Sequence, residues 1–308
     1  MIPAAFTYHR PRTIATALKL LQSHGPDAKV LAGGQSLLPM MKLRVIEPAH
    51  VIDIGRIGAL KRVRLREGTL RIGALVTHWA IESSPAIRRA VPLLAETAAL
   101  VGDIQVRNLG TIGGALAHAD PAGDYPAAML ALDAEFHLQG PGGMRGVAAA
   151  EFFHGIMTTA AHPDELLVEI HIPVGPARTG ASYQKMPNPA SGFAIAGVAA
   201  LVRLDEAGRC THVRVGVTGV GAAAYRATGV EAALEGREIT ADAIEAAARL
   251  AADGVTANED LHAGAEYRLH LAQVLTKRAL AAAVDRARIG PRRASRKGAS
   301  RLGDAPGS

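Results

Sequence analysis

Two short stretches of this sequence offer backbone rather than side chains: Ala32-Gly33-Gly34-Gln35-Ser36 and Thr111-Ile112-Gly113-Gly114-Ala115. Successive peptide N–H groups unshielded by side chains form nests that converge on anionic oxygens, and glycine lets such an oxygen come close. The hydroxyls of Ser36 and Thr111 add donors. Taken singly, a Gly-Gly pair is equally a tight turn. Two such stretches in one domain point to a diphosphate held from both sides. Neither reads G-x-x-x-x-G-K-[ST], and neither reads G-x-G-x-x-G opening a helix with an acid about twenty residues on, so a phosphate-loop NTPase and a Rossmann dinucleotide fold are both unsupported.

Other chemistries find less support. The 12 histidines follow no H-E-x-x-H spacing, so no metal site is expected. His118, in AHADP, has no triad partner beside it, and no residue is assigned a proton-transfer role. The single cysteine, Cys210, excludes a disulfide framework, a multi-cysteine zinc site and an iron–sulfur cluster held by this chain alone. With 4% aromatic residues, a base-stacking surface for nucleic acid is not expected.

The formal charge of +6 is a matter of one end. From Arg286 onward seven Lys and Arg stand against one acid, Asp304, so the rest of the chain is balanced. Residues 287–308, rich in Gly, Ser, Pro and Arg, are expected to be a disordered basic tail. No apolar run is long enough to span a membrane, and MIPAAFTYHRPRT lacks the apolar core of a signal peptide, so the expectation is a cytoplasmic protein.

Apolar spacing predicts the elements that must hold the glycine stretches. A helix over Thr13–His24 precedes a buried strand, Ala28–Leu31, which runs into the first stretch. Further strands are expected at His50–Ile54, Val63–Leu65, Thr69–Ile72, Glu135–Leu138 and Leu166–Ile172, with helices near Val91–Val101 and Tyr125–Leu132. The run PVGPARTG, Pro173 to Gly180, marks a domain boundary. Beyond it, strands at Ala181–Lys185, Ile195–Leu204 and Arg209–Val217 are followed by helices over Ala241–Ala252, capped by Thr240, and Ala265–Arg288. The order of signals predicts an α+β protein throughout.

VLAGGQSLLPMMKLR with the following VIDI, and later IQVRNLGTIGGALAHADPAGDYPAAMLALDA, closely resemble the FAD-binding medium subunit of the xanthine dehydrogenase and carbon monoxide dehydrogenase family of molybdenum hydroxylases. The likeness spans nearly the whole chain except the tail. It implies a PCMH-type, vanillyl-alcohol-oxidase-like FAD-binding domain over 1–176, in subdomains of about 1–56 and 57–176. A smaller α+β domain of a three-stranded sheet plus helices would fill 177–286. On this resemblance Ala32, Gly33, Gly34, Gln35 and Ser36 would hold one side of the FAD pyrophosphate, and Thr111, Ile112, Gly113, Gly114 and Ala115 the other.

Asp124 matches an acid that would accept from a ribose or ribityl hydroxyl, the alternative being an N-cap of the following helix. Leu167 and Lys185 match positions near the flavin; Lys185 would stabilise the reduced ring as a cation, or be a surface lysine. Phe193 would stack near the ring or belong to the core, and Arg107 and Asn108 would serve phosphate charge or brace the loop. Gly192 stands where many relatives have an acid.

The function so implied is an oxidoreductase subunit. Its FAD takes electrons from the [2Fe–2S] clusters of a small partner subunit and passes them to an external small-molecule acceptor. Molybdopterin would sit on a large partner subunit, and the whole would assemble as a dimer of heterotrimers. Two alternatives are a stand-alone FAD reductase or oxidase on the same fold, and a polyanion-binding protein acting through the tail. If the glycines serve only the phosphate, Gly34→Val and Gly113→Val should each give a folded, colourless protein.

Overall fold

The computed structural model describes residues 1–289. Three short strands, Thr7–His9, His50–Asp53 and Ala28–Leu31 in that spatial order, form a parallel sheet. The helix Ile14–His24 connects the first to the third, with Thr13 accepting from the Thr16 N–H as its N-cap. Ala17, Leu18 and Leu21 fall on one face of this helix and are buried against Ile52, Ile54 and Ala28. In open sheets of this kind, ligands bind beyond the carboxyl ends of the strands. Ala28–Leu31 delivers the first glycine stretch to that end, and the short helix Leu37–Lys42 follows it.

The second sheet is antiparallel, in the order Val63–Arg66, Thr69–Gly73, Leu166–Pro173, Glu135–Gly140, Gly143–Ala148. Phe136, Leu138, Ile170, Ile172, Leu70 and Ile72 alternate onto its inner face and meet the helices Pro92–Ala99, Ile112–His118 and Asp124–Ala131. A register shift between Leu167 and Glu169 breaks the alternation. Leu166 and Val168 thereby join the core of the first sheet, and Leu167 joins that of the second. The first 56 residues thus share their core with their neighbours.

Beyond Pro173 a third, antiparallel sheet runs Thr179–Pro187, Ala194–Leu204, Cys210–Thr218, Tyr225–Arg226. The three long strands are those expected, and the two-residue edge is an addition. The helix Ala265–Ile289 lies across this sheet on Leu271, Leu275, Leu280 and Val284. It continues through residues 287–289, which the sequence assigns to the tail; Arg286 donates to Glu96 and Arg288 to the Ile239 carbonyl. The remainder of the expected tail lies outside the described residues. Among the described residues no helix is long and apolar enough to cross a membrane.

Candidate cofactor-binding site

The two glycine stretches touch. A Cβ added to Gly33 would lie 2.3 Å from the Leu109 carbonyl oxygen and 2.7 Å from the Gly110 Cα. Only glycine at 33 lets the first loop pack on the backbone that leads into the second. They open onto one cavity of about 570 Å³, a size proper to a cofactor site. Its walls also include Met40, Ile46, Leu75, Val106 and Leu166, so most of the lining is apolar.

The two stretches differ in what they offer. No acceptor among the described residues takes the N–H groups of Gly33, Gly34, Gln35 or Ser36. Gly34 holds φ at 75°, the left-handed region that glycine enters freely. Four successive amides at a cavity, uncommitted among the described residues, are a donor set for an anion. In the second stretch the amides of Ile112, Gly113, Gly114 and Ala115 donate to Val76 O, Ala74 O, Thr111 Oγ1 and Thr111 O at 3.0, 2.9, 3.1 and 3.0 Å. Donors from both stretches were the expectation; these four amides of the second are satisfied internally. The reason is that Thr111 caps a helix, Ile112–His118, where the sequence suggests a loop.

What the second stretch contributes is shape and a hydroxyl. A Cβ at Gly114 would stand 3.7 Å from the Ala32 Cβ, facing the first loop across a narrow gap, and 2.9 Å from Thr111 Oγ1. Gly113 is a packing residue, since its Cβ would meet that of Ala74 at 2.4 Å. Ile112 is fully buried core. The Thr111 hydroxyl accepts from the Gly114 N–H and keeps its proton to donate.

Eleven of the thirteen predicted site residues line the cavity: Ala32 to Ser36, Thr111, Gly113, Gly114, Ala115, Asp124 and Leu167. Ile112 and Lys185 do not. The Lys185 ammonium is buried behind the wall, donating to Leu100 O at 2.9 Å, to Gly192 O at 2.6 Å and to Asp124 at 2.9 Å. The backbone carbonyl of Gly192 thus supplies one of its acceptors. Asp124 also accepts from the Tyr183 hydroxyl at 2.7 Å. It is the first residue of its helix and Gly123 is the N-cap, so the capping alternative falls away. Burial pushes the Asp124 carboxyl above the ordinary carboxylate range, and Lys185 pulls it back.

His78 lines the cavity without any signal in the sequence. His78 sits behind the second stretch, its Nδ1 3.1 Å from the Tyr125 hydroxyl. Burial, and secondarily Arg107, lowers its pKa to about 4, so the ring is neutral. Arg107 braces rather than binds: it donates to Glu82 at 2.8 Å and to the carbonyls of Val101 and Gly102. Phe193 is half exposed and lines both this cavity and an adjoining one of about 290 Å³. His118 lines the cavity 3.9 Å from Asp120.

A sequence profile of the FAD binding domain in molybdopterin dehydrogenase matches residues 4–175, and one of the CO dehydrogenase flavoprotein C-terminal domain matches residues 181–283. The chain belongs to the FAD-binding medium-subunit family of the molybdopterin dehydrogenases. It is 43% identical over 283 residues to the carbon monoxide dehydrogenase medium chain of Hydrogenophaga pseudoflava, covering 92% of this chain and 98% of that one. The 6-hydroxypseudooxynicotine dehydrogenase complex subunit alpha of Paenarthrobacter nicotinovorans is 37% identical over 94% of this chain and 97% of its own. In structure, the chain is similar to one from the Hydrogenophaga pseudoflava carbon monoxide dehydrogenase that lacks the Mo-pyranopterin moiety. The TM-score is 0.90 at 44% identity, over 92% of this chain and 98% of that one.

The residues present fit FAD. The uncommitted amides of Gly33–Ser36 suit its diphosphate, the carboxylate of Asp124 suits a sugar or ribityl hydroxyl, and the apolar lining suits the ring systems. Lys29 is the one Lys or Arg among the lining residues described, so amide dipoles rather than side-chain cations would meet most of the diphosphate charge.

Proposed function

We propose that this medium subunit is the electron-transfer link of a three-part molybdenum hydroxylase. It receives electrons from [2Fe–2S] clusters on a small partner subunit and delivers them to an external acceptor. FAD, when bound, supplies a carrier that exchanges electrons singly or in pairs. The chain's own residues bind and orient it. Ala32 to Ser36 hold the diphosphate by backbone donors, and the Thr111 hydroxyl donates from the other side. Gly114 and Ala115 keep that side narrow. Asp124 keeps lone pairs for a cofactor hydroxyl, and Leu167 packs against the cofactor. Lys185 acts through Asp124, to which it donates, as a positioning residue behind the wall.

The run of uncommitted amides facing Gly114 carries the cofactor part of this reading. The need for a partner follows from composition: Cys210 is the only cysteine and is buried, so no cluster can be ligated here. The molybdopterin centre is assigned to a large subunit, and the complex to a dimer of heterotrimers in the cytoplasm. Substrate choice is assigned to that large subunit too. Similar medium chains, at 43% and 35% identity, belong to a carbon monoxide dehydrogenase and to a glyceraldehyde dehydrogenase from Sulfolobus acidocaldarius.

The test is the absorption spectrum and reactivity of the purified chain. Flavin bands at one equivalent are expected, with iron–sulfur bands only when the small subunit is added. Reduction by the complex's substrate should require all three subunits. Turnover of NAD(P)H with a small organic acceptor by the isolated chain, at a rate partners do not change, would overturn this reading in favour of a stand-alone reductase.

A further inference from the structure

Beside the first sheet, outside the lining of the cofactor cavity, three imidazoles meet. His9 ends the strand Thr7–His9, His24 ends the helix Ile14–His24, and His50 opens the strand His50–Asp53. Each is half-buried, and none lines the cavity. One ring nitrogen of each lies within 4.8 Å of those of the other two. Among the described residues, no other three His, Cys, Asp or Glu side chains bring their ligand atoms so close. The site escapes a spacing search because its members are 15 and 26 residues apart and come together through sheet pairing.

We propose that His9, His24 and His50 form a three-imidazole site for a divalent transition metal, zinc in the first instance. The donor set selects the metal class: three neutral nitrogens suit zinc, nickel or copper, whereas calcium and magnesium take oxygen ligands. The spacing is close to that of a bound site. His9 Nε2 and His50 Nδ1 are 3.1 Å apart; two nitrogens on a tetrahedral zinc at ordinary bond lengths are about 3.3 Å apart. The His24 ring stacks on His50, centroids 3.7 Å apart and planes 18° from parallel, so it must turn out of the stack to aim a lone pair at the same point. Its place at the last turn of a helix, half-exposed and followed by Gly25, leaves room for that rotation. The fourth position faces solvent and would be taken by water.

The consequence is a clasp. Metal would fix the first strand and the end of the first helix to the opening of the neighbouring strand, in the part of the chain with the smallest core. Small cores are where structural metals contribute most.

The experiment uses the full chain with its FAD and without an affinity tag, titrated with Zn²⁺ against a chromogenic zinc indicator at neutral pH. One equivalent is expected to bind, and the thermal midpoint should rise with Zn²⁺. His24→Ala should weaken binding by about tenfold or more and abolish the rise, with circular dichroism and flavin content unchanged. His154→Ala, at an exposed position, should bind as the natural chain does. His9→Ala gives a second reading of the same kind. Absence of a stoichiometric binding step in the natural chain overturns the proposal, as does natural affinity in His24→Ala. Neither result bears on the flavin reading, since FAD content is followed separately.

Discussion

His78 shows what one buried side chain costs at this site. Its pKa is lowered from 6.5 to about 4 in the native protein, first by burial. Between those values the unfolded chain binds a proton that the native chain refuses, so stability rises with pH across the window and is lost as pH falls through it. A difference of that size is worth about 3 kcal/mol. Urea midpoints measured from pH 6.5 down to 4 should therefore fall less steeply in His78→Asn; identical slopes would assign the acid sensitivity elsewhere. The glycines separate in the same way by what surrounds them. Gly34→Val forces a positive φ on a branched residue, at about 1–2 kcal/mol, and crowds side chains rather than backbone, those of Leu38 and Leu31. It should leave a folded protein with less FAD. Gly113→Val drives a side chain into the Ala74 backbone and should fail to fold, contrary to the expectation from sequence. Soluble yield and the ratio of flavin absorbance to protein distinguish the two.

Among the elements, the helix Asp124–Ala131 connects site and scaffold. Every residue of it is buried, packed between the second and third sheets, and its first residue is the carboxylate on the cavity wall. Lys185, from the third sheet, neutralises that carboxylate. Lys185→Met should cost about 3–5 kcal/mol because it leaves the buried Asp124 without its cation, with the Tyr183 hydroxyl as its remaining side-chain donor. Adding Asp124→Asn should recover much of the loss, and denaturation of both variants checks it. The sequence foretold this helix and the three long strands beyond it because apolar runs of eight or more residues carry their own period. It did not foretell Leu37–Lys42, His78–Ser83 or Ile104–Leu109, which are six residues each, less than two full turns. It also took Ile112–His118 for a loop, because Gly-Gly is a poor helix former and what holds it is the capping Thr111, packing on Ala74 and the burial of Ile112 and Leu116. The cavity lining was legible wherever glycine exposes backbone, as at Gly33–Ser36. Burial is set by distant strands, so the retreat of Lys185 behind the wall and the arrival of His78 beside the second stretch were not.

At the scale of the whole molecule, the cavity takes walls from all three sheet regions: Ala32–Ser36 after the first sheet, Thr111, Gly114, Asp124 and Leu167 from around the second, and Ser191, Gly192 and Phe193 from beyond the domain boundary. Cofactor retention should therefore depend on how the third sheet docks, even through residues far from the cavity. The docking is tight. Gly219 N–H donates to Pro121 O, Ala194 N–H to Ala122 O, and the Thr218 hydroxyl reaches Pro121 O and Gly123 O at 3.0 and 2.7 Å, stitching the loop before Asp124 to two strands. Below these bonds Gly216 presses on the same helix so closely that a Cβ would stand 2.1 Å from Ala127 O. Neither Gly216 nor Ala127 touches the cavity. Gly216→Val should lift the third sheet from the helix, lower the thermal midpoint and loosen the Ser191–Phe193 wall, so that FAD dissociates faster although no cofactor contact has changed. A dilution series followed by flavin fluorescence measures that release. Because a ligand that binds only the docked form stabilises it by mass action, saturating FAD should restore part of the lost midpoint. Were the variant to lose stability yet release FAD at the natural rate, the third sheet would be a passive neighbour, and the cavity would be held by the first two sheets alone.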